Sequence, residues 1–184
     1  AYFDYVGCEK WKEECQKCPQ HLQTYPYSIS DYSRKAYMRK KHAFSGVKNL
    51  TVEEMLKLCD ELGCELDFVT RREYKLIHAP LGAYYSKKIF AVDDEEIFNS
   101  IYWHTTAKAN MTLFEKIIYV ADVIEPNRKY DIVDELRRLA YEDIDVAMLK
   151  ILNYTINKQL AAGKMLHSET INARNYLIAK GVNV

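Results

Sequence analysis

The sequence predicts an all-α protein that folds as a bundle of helices. From residue 51 onward, apolar residues recur at helical spacing, and most of these stretches begin at a capping signal or end at a glycine. No stretch shows the alternation of apolar and polar residues that is typical of a half-buried strand. A chain of 184 residues is also long enough to bury a sizeable core within one domain.

Capping signals set the boundaries of the first predicted helices. Thr51-Val-Glu-Glu54 has the pattern of a capping box, and Gly63 ends the helix that follows it. Pro80 is predicted to lie in the first turn of the next helix, which runs to Phe90, because proline is well tolerated at that position. The acidic run over residues 93–96 then favours the N-terminus of another helix.

The remaining helices are predicted from their apolar spacing. Ile97, Ile101 and His104 share one helical face, and the following apolar stripe has Asp122 near its end. Three further stretches have the same spacing, and the last two of them end at glycines. The helices predicted in this way cover residues 113–124, 131–141, 143–162 and 170–179.

The first quarter of the chain differs from the rest, and a boundary is predicted between residues 47 and 48. Residues 1–47 are rich in tyrosine and poor in helical spacing, and we expect a divergent segment there, followed by a helical core domain over 48–184. Residues 1–50 hold nine basic and five acidic residues, although the whole chain is neutral with 26 of each sign. The basic run could contact RNA, but a solvated surface is the favoured interpretation, and we expect no nucleic-acid partner.

Cysteine usage and hydropathy indicate a cytoplasmic protein. Five cysteines are an odd number, which argues against a complete set of intramolecular disulfides. Cys59 and Cys64 are predicted to be small core residues. No stretch approaches the length of a membrane span and no signal peptide is visible, so we expect no membrane partner.

A second group of cysteines lies in the N-terminal segment. Cys8, Cys15, Cys18 and His21 could together supply the four ligands of a zinc site, and Cys15-x-x-Cys18 is half of the usual pattern. A single such pair also arises by chance, and no second pair exists. We therefore expect that Cys15 and Cys18 do not hold zinc.

Three polar side chains on apolar helical faces form the main candidate site. His78, His104 and Asp122 are each framed by apolar residues. Imidazole and carboxylate groups directed into a shared interior need hydrogen-bond partners or a metal ion. The sequence therefore predicts that these three side chains converge on a metal site.

Each candidate has a simpler interpretation that the sequence leaves open. His78 could hydrogen-bond the backbone at a helix start, and His104 could be an imidazole favoured by a helix C-terminus. A capping role is not the favoured interpretation of Asp122, because a negative charge is disfavoured at the C-terminal end of a helix. Lys108 and Arg128 could bind phosphate, but on spacing alone exposed surface charges are the favoured interpretation.

The motifs resemble those of the HD-domain phosphohydrolase superfamily, and in particular its YqeK-type symmetrical diadenosine tetraphosphate hydrolases. They follow one another in family order, and the resemblance covers about residues 48–181. The matching segments are Leu76-Ile-His78-Ala-Pro-Leu-Gly-Ala83, His104-Thr-Thr-Ala-Lys-Ala-Asn110-Met-Thr, Leu113-Phe-Glu-Lys-Ile-Ile-Tyr-Val-Ala-Asp122-Val-Ile-Glu125-Pro126-Asn-Arg128 and Thr170-Ile-Asn-Ala-Arg174-Asn175-Tyr-Leu.

The resemblance implies an HD-domain-like helical bundle with a metal-dependent hydrolytic site. Proteins of this family bind two metal ions, commonly iron, and cleave a dinucleoside tetraphosphate into two nucleoside diphosphates. His78, His104 and Asp122 match the family's metal ligands. Thr105, Lys108 and Arg128 fall where the family would meet phosphate, and a nucleotide is the implied substrate. The apolar content of the last two helices would also permit a homodimer.

This chain departs from the family pattern in two places. Lys108 stands where an arginine is usual, which removes bidentate geometry at that contact. Phe44 and Ser45 occupy the positions of an adjacent His-Asp pair that normally helps to hold both metals, and no His-Asp dipeptide occurs anywhere in the chain. His21 or His42 could substitute in part. The chain is then either a working phosphohydrolase with an altered metal site, or a degenerate HD-fold protein that binds a nucleotide or a partner without turnover.

Overall fold

The computed structural model of the protein describes residues 50–183, which belong to a compact unit over Arg39–Val184. Within these residues the chain forms helices and no strand, so the all-α class is confirmed. The domain boundary predicted at residue 48 lies outside the described residues. The eight helices of residues 50–183 are α1 (Val52–Leu62), α2 (Phe68–Arg72), α3 (Tyr74–Phe90), α4 (Glu95–Tyr102), α5 (Leu113–Ile124), α6 (Val133–Glu142), α7 (Ile144–Ala161) and α8 (Ser168–Ala179).

The capping box predicted for α1 is confirmed. The backbone N–H of Glu54 donates to the hydroxyl of Thr51 over 3.2 Å, and the N–H of Thr51 donates to the Glu54 carboxylate over 2.7 Å. Gly63 follows the helix in the left-handed conformation, with φ of 71°. A residue with a Cβ atom would be strained there, which explains why the helix ends at this glycine.

Helix α3 begins earlier than predicted, and Pro80 lies inside it rather than in its first turn. The prediction failed because proline was treated as a helix start. Ile77, Ala79 and Leu81 are fully buried on either side of Pro80. Their burial stabilises the continuous helix against the loss of one backbone hydrogen bond at the proline. His78 is consequently a residue of the helix body, not of a helix start.

Helix α4 is shorter than predicted and ends at Tyr102. His104 therefore lies in the turn after the helix, where the N–H of Trp103 donates to the carbonyl of Asn99 as the cap. The imidazole nonetheless stays in the interior, with only 3% of the residue exposed. The connection from α4 to α5 thus places His104 inside the fold without continuing the helix.

Within residues 50–183, two apolar clusters pack the helices against one another. The first joins α1 and α3 through Cys59, Cys64, Ile77 and Leu81, and both of these cysteines are free thiols buried in it, as predicted. The second surrounds α7, which packs against α5, α6 and α8. Helix α4 packs against both α3 and α5. The turn after α4, which carries His104, therefore lies between the helices of the first cluster and those of the second.

The helices predicted for the second half of the chain are present with small shifts of their ends. α5 has the predicted bounds, and α7 and α8 each begin within two residues of the prediction. Within residues 50–183, none of the helices combines the length and the apolar character that crossing a membrane requires.

Candidate active site

Two of the three predicted metal ligands meet in space. The Nε2 atoms of His78 and His104 lie 3.1 Å apart, and their rings are 5.0 Å apart between centroids at an angle of 60°. His78 projects from the body of α3, and His104 from the turn after α4. The packing of α4 on α3 therefore brings together two imidazoles that are 26 positions apart in sequence.

The hydrogen bond made by Nδ1 of His104 determines which nitrogen of the ring carries the proton. Its Nδ1 lies 2.6 Å from the carbonyl oxygen of Ile101. Because a carbonyl can only accept, Nδ1 must carry the hydrogen, and in the neutral ring Nε2 then presents a lone pair. A histidine that donates its other N–H to a backbone carbonyl in this way is the usual arrangement of a metal ligand. The lone pair of His104 is directed towards His78 Nε2.

Asp122 is less buried than its apolar neighbours suggested. Its side chain is 36% exposed, and its Oδ2 atom lies 3.6 Å from Nη2 of Arg128. Its apolar neighbours predicted a carboxylate directed into the interior, and the structure places it near the C-terminal end of α5 as a partly buried side chain. Among residues 50–183, no three His, Cys, Asp or Glu side chains form a group that could hold a metal ion. The convergence of Asp122 with the two histidines stays a prediction.

The buried carboxylate of this region is Glu125 instead. It lies just after α5, only 5% exposed, with its Oε1 atom 3.6 Å from Nε of Arg128. Arg128 also donates from Nε to the carbonyl of Asp122 over 3.3 Å. The guanidinium is therefore held between two carboxylates and remains 42% exposed, so part of it can still meet a ligand.

Arg137 of α6 holds the backbone of this loop. Its Nε donates to the carbonyl of Ile124 over 3.1 Å, and its Nη2 donates to the carbonyls of Glu125 and Arg128 over 3.0 and 3.2 Å. These carbonyls have no partner within helix α5, because they lie at or beyond its C-terminus. A guanidinium can bond several of them at once through its fixed fork of donors. Arg137 thereby fixes the segment that carries Arg128.

Lys108 lies in the loop between α4 and α5 and is held by a buried carboxylate. Its Nζ is 3.0 Å from Oε1 of Glu115, whose side chain is 1% exposed. The other oxygen of Glu115 accepts the N–H of Thr112 over 2.8 Å, and Thr112 caps the same turn in return. The loop itself contains two left-handed residues, Ala107 with φ of 58° and Asn110 with φ of 55°. The Asn110 side chain accepts a hydrogen bond from Tyr176 of α8 over 2.7 Å.

Thr105, the third predicted phosphate contact, is half-buried and lines a cavity of about 390 Å³. One wall of this cavity is a pair that sequence reasoning missed. His167 Nε2 lies 3.0 Å from Oδ2 of Asp67, and His167 Nδ1 accepts the backbone N–H of Glu169 over 3.1 Å. Since Nδ1 accepts, the proton of the neutral ring is on Nε2, which donates to Asp67.

The Asp67 carboxylate is strongly favoured in its charged form. Partial burial raises its pKa, but hydrogen bonds from the side chain and backbone of Thr70 and from His167 outweigh this effect and lower the pKa to about 2. Its oxygens also cap α2 by accepting the N–H groups of Val69 and Thr70. The Asp67 carboxylate therefore caps the N-terminus of α2 and also holds His167 in the wall of the cavity.

Sequence signals existed for some of these residues. The Thr112-Leu-Phe-Glu115 stretch has the same capping-box pattern as residues 51–54 and pointed to Glu115. No local pattern pointed to Arg137, because an arginine on a polar helix face is most often a solvated charge. The candidates Cys8, Cys15, Cys18, His21, His42, Phe44 and Ser45 lie outside the described residues.

Comparison with known proteins yields relatives in sequence and in structure, although no protein-family model matches the chain. Two curated relatives carry the name symmetrical bis(5'-nucleosyl)-tetraphosphatase. The one from Halalkalibacterium halodurans is 38% identical over 104 residues, and the one from Bacillus subtilis is 39% identical over 105 residues. These matches cover 56% and 57% of this chain and 56% of each relative, so the chain spans about half the length of the curated relatives it matches.

A solved structure from Clostridium acetobutylicum matches over more of the chain. It is described as a predicted HD superfamily hydrolase involved in NAD metabolism, and it is 39% identical with a TM-score of 0.75. The match covers 83% of this chain and 79% of that one. The chain therefore belongs to the HD hydrolase superfamily. Within that superfamily it is similar to the proteins named symmetrical bis(5'-nucleosyl)-tetraphosphatase, which confirms the resemblance drawn from its motifs.

Proposed function

We propose that the protein is a metal-dependent phosphohydrolase that cleaves a dinucleoside tetraphosphate, with diadenosine tetraphosphate as the expected substrate and two molecules of ADP as the products. The observation that carries this proposal is the histidine pair. His104 keeps its lone pair on Nε2 through its hydrogen bond to Ile101, and that lone pair faces Nε2 of His78. The names of the two curated relatives agree with such an activity, and the structural relative is described as a hydrolase.

The metal implied by the superfamily is a divalent ion, and we propose iron. The chemistry of the donors fits, since two imidazoles whose Nε2 atoms lie 3.1 Å apart are suitable ligands for iron and related metals. His78 and His104 would hold the ion, and Asp122 would supply a carboxylate. When bound, a divalent ion lowers the pKa of a water molecule towards neutrality and offsets negative charge on phosphate.

The protein's own cations would orient the tetraphosphate. Arg128 remains partly exposed between Asp122 and Glu125, so its guanidinium can donate two parallel hydrogen bonds to a phosphate group. Lys108 offers a point charge that Glu115 holds in one place. Thr105 would donate its hydroxyl to a phosphate oxygen. These groups stabilise the charge that develops on the transferring phosphate.

The second candidate function is binding of a nucleotide or a partner without turnover. Two observations favour it: the chain lacks a His-Asp dipeptide, and residues 50–183 contain no group of three potential metal ligands. Under this interpretation the cationic groups would still bind polyphosphate, but no metal would be retained.

Metal analysis and hydrolysis assays on the full chain distinguish the two functions. The protein would be purified without oxygen, its iron, manganese and zinc content measured, and ADP release from diadenosine tetraphosphate followed by chromatography. We expect bound metal and release of ADP, and we expect His104→Gln to lower both together while its circular dichroism stays unchanged. Saturable nucleotide binding with neither metal nor ADP release would instead establish the binding function.

A further inference from the structure

The loop between α4 and α5 carries one histidine of the pair and one of the proposed phosphate contacts. Thr106 is the midpoint between them, two positions after His104 and two positions before Lys108. Thr106 is 6% exposed and the next residue, Ala107, is fully buried. A buried backbone carbonyl needs a hydrogen-bond donor, and the hydroxyl of Thr170 supplies one to the Thr106 carbonyl over 2.8 Å. This contact joins the loop to α8 across 64 positions of sequence.

The start of α8, from which this hydroxyl donates, is itself fixed. His167 precedes the helix and caps it by accepting the N–H of Glu169. The other ring nitrogen of His167 donates to Asp67, 100 positions earlier in the chain. Thr170 lies in the same first turn of α8. Its hydroxyl therefore donates from a part of the helix whose position is determined by other contacts.

Two more contacts join α8 to the same loop. Ala107 belongs to the same buried apolar cluster as Ala173 of α8. Tyr176 of α8 donates its hydroxyl to the side chain of Asn110 over 2.7 Å. The helix therefore contacts the loop on both sides of Lys108 in the sequence.

The peptide unit between Thr106 and Ala107 is bonded through both of its polar groups. Its carbonyl accepts from Thr170, and its N–H, which belongs to Ala107, donates to the carbonyl of Trp103 over 2.8 Å. Ala107 has a φ of 58°, in the left-handed region that a residue with a Cβ atom seldom adopts. Such a conformation persists only where the surroundings determine it. The two hydrogen bonds fix the plane of this peptide and so maintain the turn.

We propose that Thr170 is a positioning residue of the site: its hydroxyl fixes the peptide unit before Ala107, and thereby the backbone from which Lys108 reaches the phosphates. The proposal rests on the proposed function and adds to it a determinant of substrate affinity on α8. Glu115 holds only the ammonium end of Lys108, and a lysine side chain is a flexible stem of four carbons. The ammonium has a defined place relative to the histidine pair only when the backbone end is fixed as well.

Thr170→Val removes the hydroxyl and nearly keeps the shape of the side chain. We expect the affinity for inorganic pyrophosphate, measured by calorimetry on the full chain, to fall about tenfold, because a hydrogen bond to a charged group is lost or weakened. KM for diadenosine tetraphosphate should rise similarly with kcat changed less than about twofold, since Lys108 binds phosphate before and during the reaction. The metal content should stay at the native value, because His104 keeps its bond to Ile101.

Two further variants control for effects on stability alone. Thr170→Ser keeps the hydroxyl and should restore the native affinity for pyrophosphate. Thr155→Val is the matched control, since Thr155 is a half-buried threonine of the neighbouring helix α7. Equal pyrophosphate affinities in Thr170→Val and Thr155→Val would overturn the proposal.

A double-mutant cycle tests whether Thr170 acts through Lys108. Lys108→Gln removes the charge, and in that background Thr170→Val should lower the pyrophosphate affinity no further, because the group that it positions is gone. Losses that add up in the double variant would mean that Thr170 affects binding by another route. That result would also overturn the proposal.

Amide hydrogen exchange gives a test that needs neither a ligand nor a second substitution. The N–H of Ala107 is the reporter, because it belongs to the peptide unit that Thr170 bonds. We expect Thr170→Val to speed its exchange about tenfold, the equivalent of one lost hydrogen bond, while exchange in α7 stays unchanged. Native exchange of this amide in Thr170→Val would overturn the proposal.

The two proposals fail in different ways. A native chain that binds pyrophosphate without hydrolysing diadenosine tetraphosphate would overturn the proposed activity, while a loss of affinity in Thr170→Val would still establish the positioning role. Hydrolysis by the native chain, with the same KM in Thr170→Val, would overturn the positioning role alone.

Discussion

The ammonium group of Lys108 lies 3.0 Å from a carboxylate oxygen of Glu115, and the Glu115 side chain is almost completely buried. A buried carboxylate needs a charged or hydrogen-bonding partner on each oxygen. Lys108 satisfies one oxygen of Glu115, and the backbone of Thr112 satisfies the other. The loop after α4 is thereby tied to the first turn of α5, with its lysine in a defined place.

Replacing this carboxylate should weaken both the fold and the site. Glu115→Gln keeps an acceptor for Thr112 but removes the charge opposite Lys108. We expect a loss of about 1–3 kcal/mol in the free energy of unfolding, measured in urea, and a higher KM for diadenosine tetraphosphate. Glu53→Gln is the control, because Glu53 is an exposed carboxylate in the first turn of α1. Equal losses of unfolding free energy in both variants would show that the effect comes from a negative charge at a helix N-terminus and not from the contact with Lys108.

Arg137 should act on substrate binding although it is expected to touch no substrate. Arg137→Lys cannot reproduce bonds to the carbonyls of Ile124, Glu125 and Arg128 at once, because an ammonium lacks the planar fork. We expect Arg128 to lose its position and KM to rise about tenfold, more than any fall in kcat. Arg138→Lys is the matched control, since the neighbouring Arg138 is exposed and pairs with Glu142. A lower stability with an unchanged KM would limit Arg137 to a structural role.

Acid should weaken the wall formed by Asp67 and His167. The pKa of Asp67 in the folded protein is about 2, below its ordinary value of 3.8, so its charged form stabilises the folded state at any pH above about 4. This contribution is lost as the pH falls from about 4 towards 2. Urea unfolding at pH 7, 4, 3 and 2 should show the difference between the native chain and Asp67→Asn shrinking over that interval. A difference that stays constant with pH would exclude the carboxylate charge as the cause.

The missing His-Asp pair gives a prediction on the metal content. Phe44→His combined with Ser45→Asp restores the dipeptide usual in the family. We expect metal content and hydrolysis of diadenosine tetraphosphate to increase together, because a metal ion normally takes four to six ligands. Phe44→His with Ser45→Asn lacks the carboxylate and should show a smaller increase in both. Efficient hydrolysis by the unmodified chain, with no gain in the variant, would mean that other residues complete the site.

The sequence predicted most of the fold because the helices carry strong local signals. The cap at Thr51, the stop at Gly63 and the bounds of α5 follow from residues within one or two turns of each boundary. The position of Pro80 was not predictable in this way. It depends on the burial of α3 against α1 and α4, and this tertiary packing outweighs the local preference of proline for a first turn.

The candidate site was predictable in its residue types more than in its geometry. His78 and His104 were chosen as polar groups on apolar faces, and they do meet. Asp122 was chosen for the same reason, yet its side chain is partly exposed while the nearby Glu125 is buried. Burial at a helix end depends on how the following loop folds back, and here Arg137 determines that path from another helix.

The hydrogen bond between Asp67 and His167 joins residues that are 100 positions apart. Closing a loop of that length has an entropic cost that grows with the logarithm of its length, so this contact is expected late in folding. During synthesis, α1 to α5 leave the ribosome long before His167 does, and domains fold as their residues emerge. The wall of the cavity that Asp67 and His167 form is therefore completed only after the start of α8 has been translated.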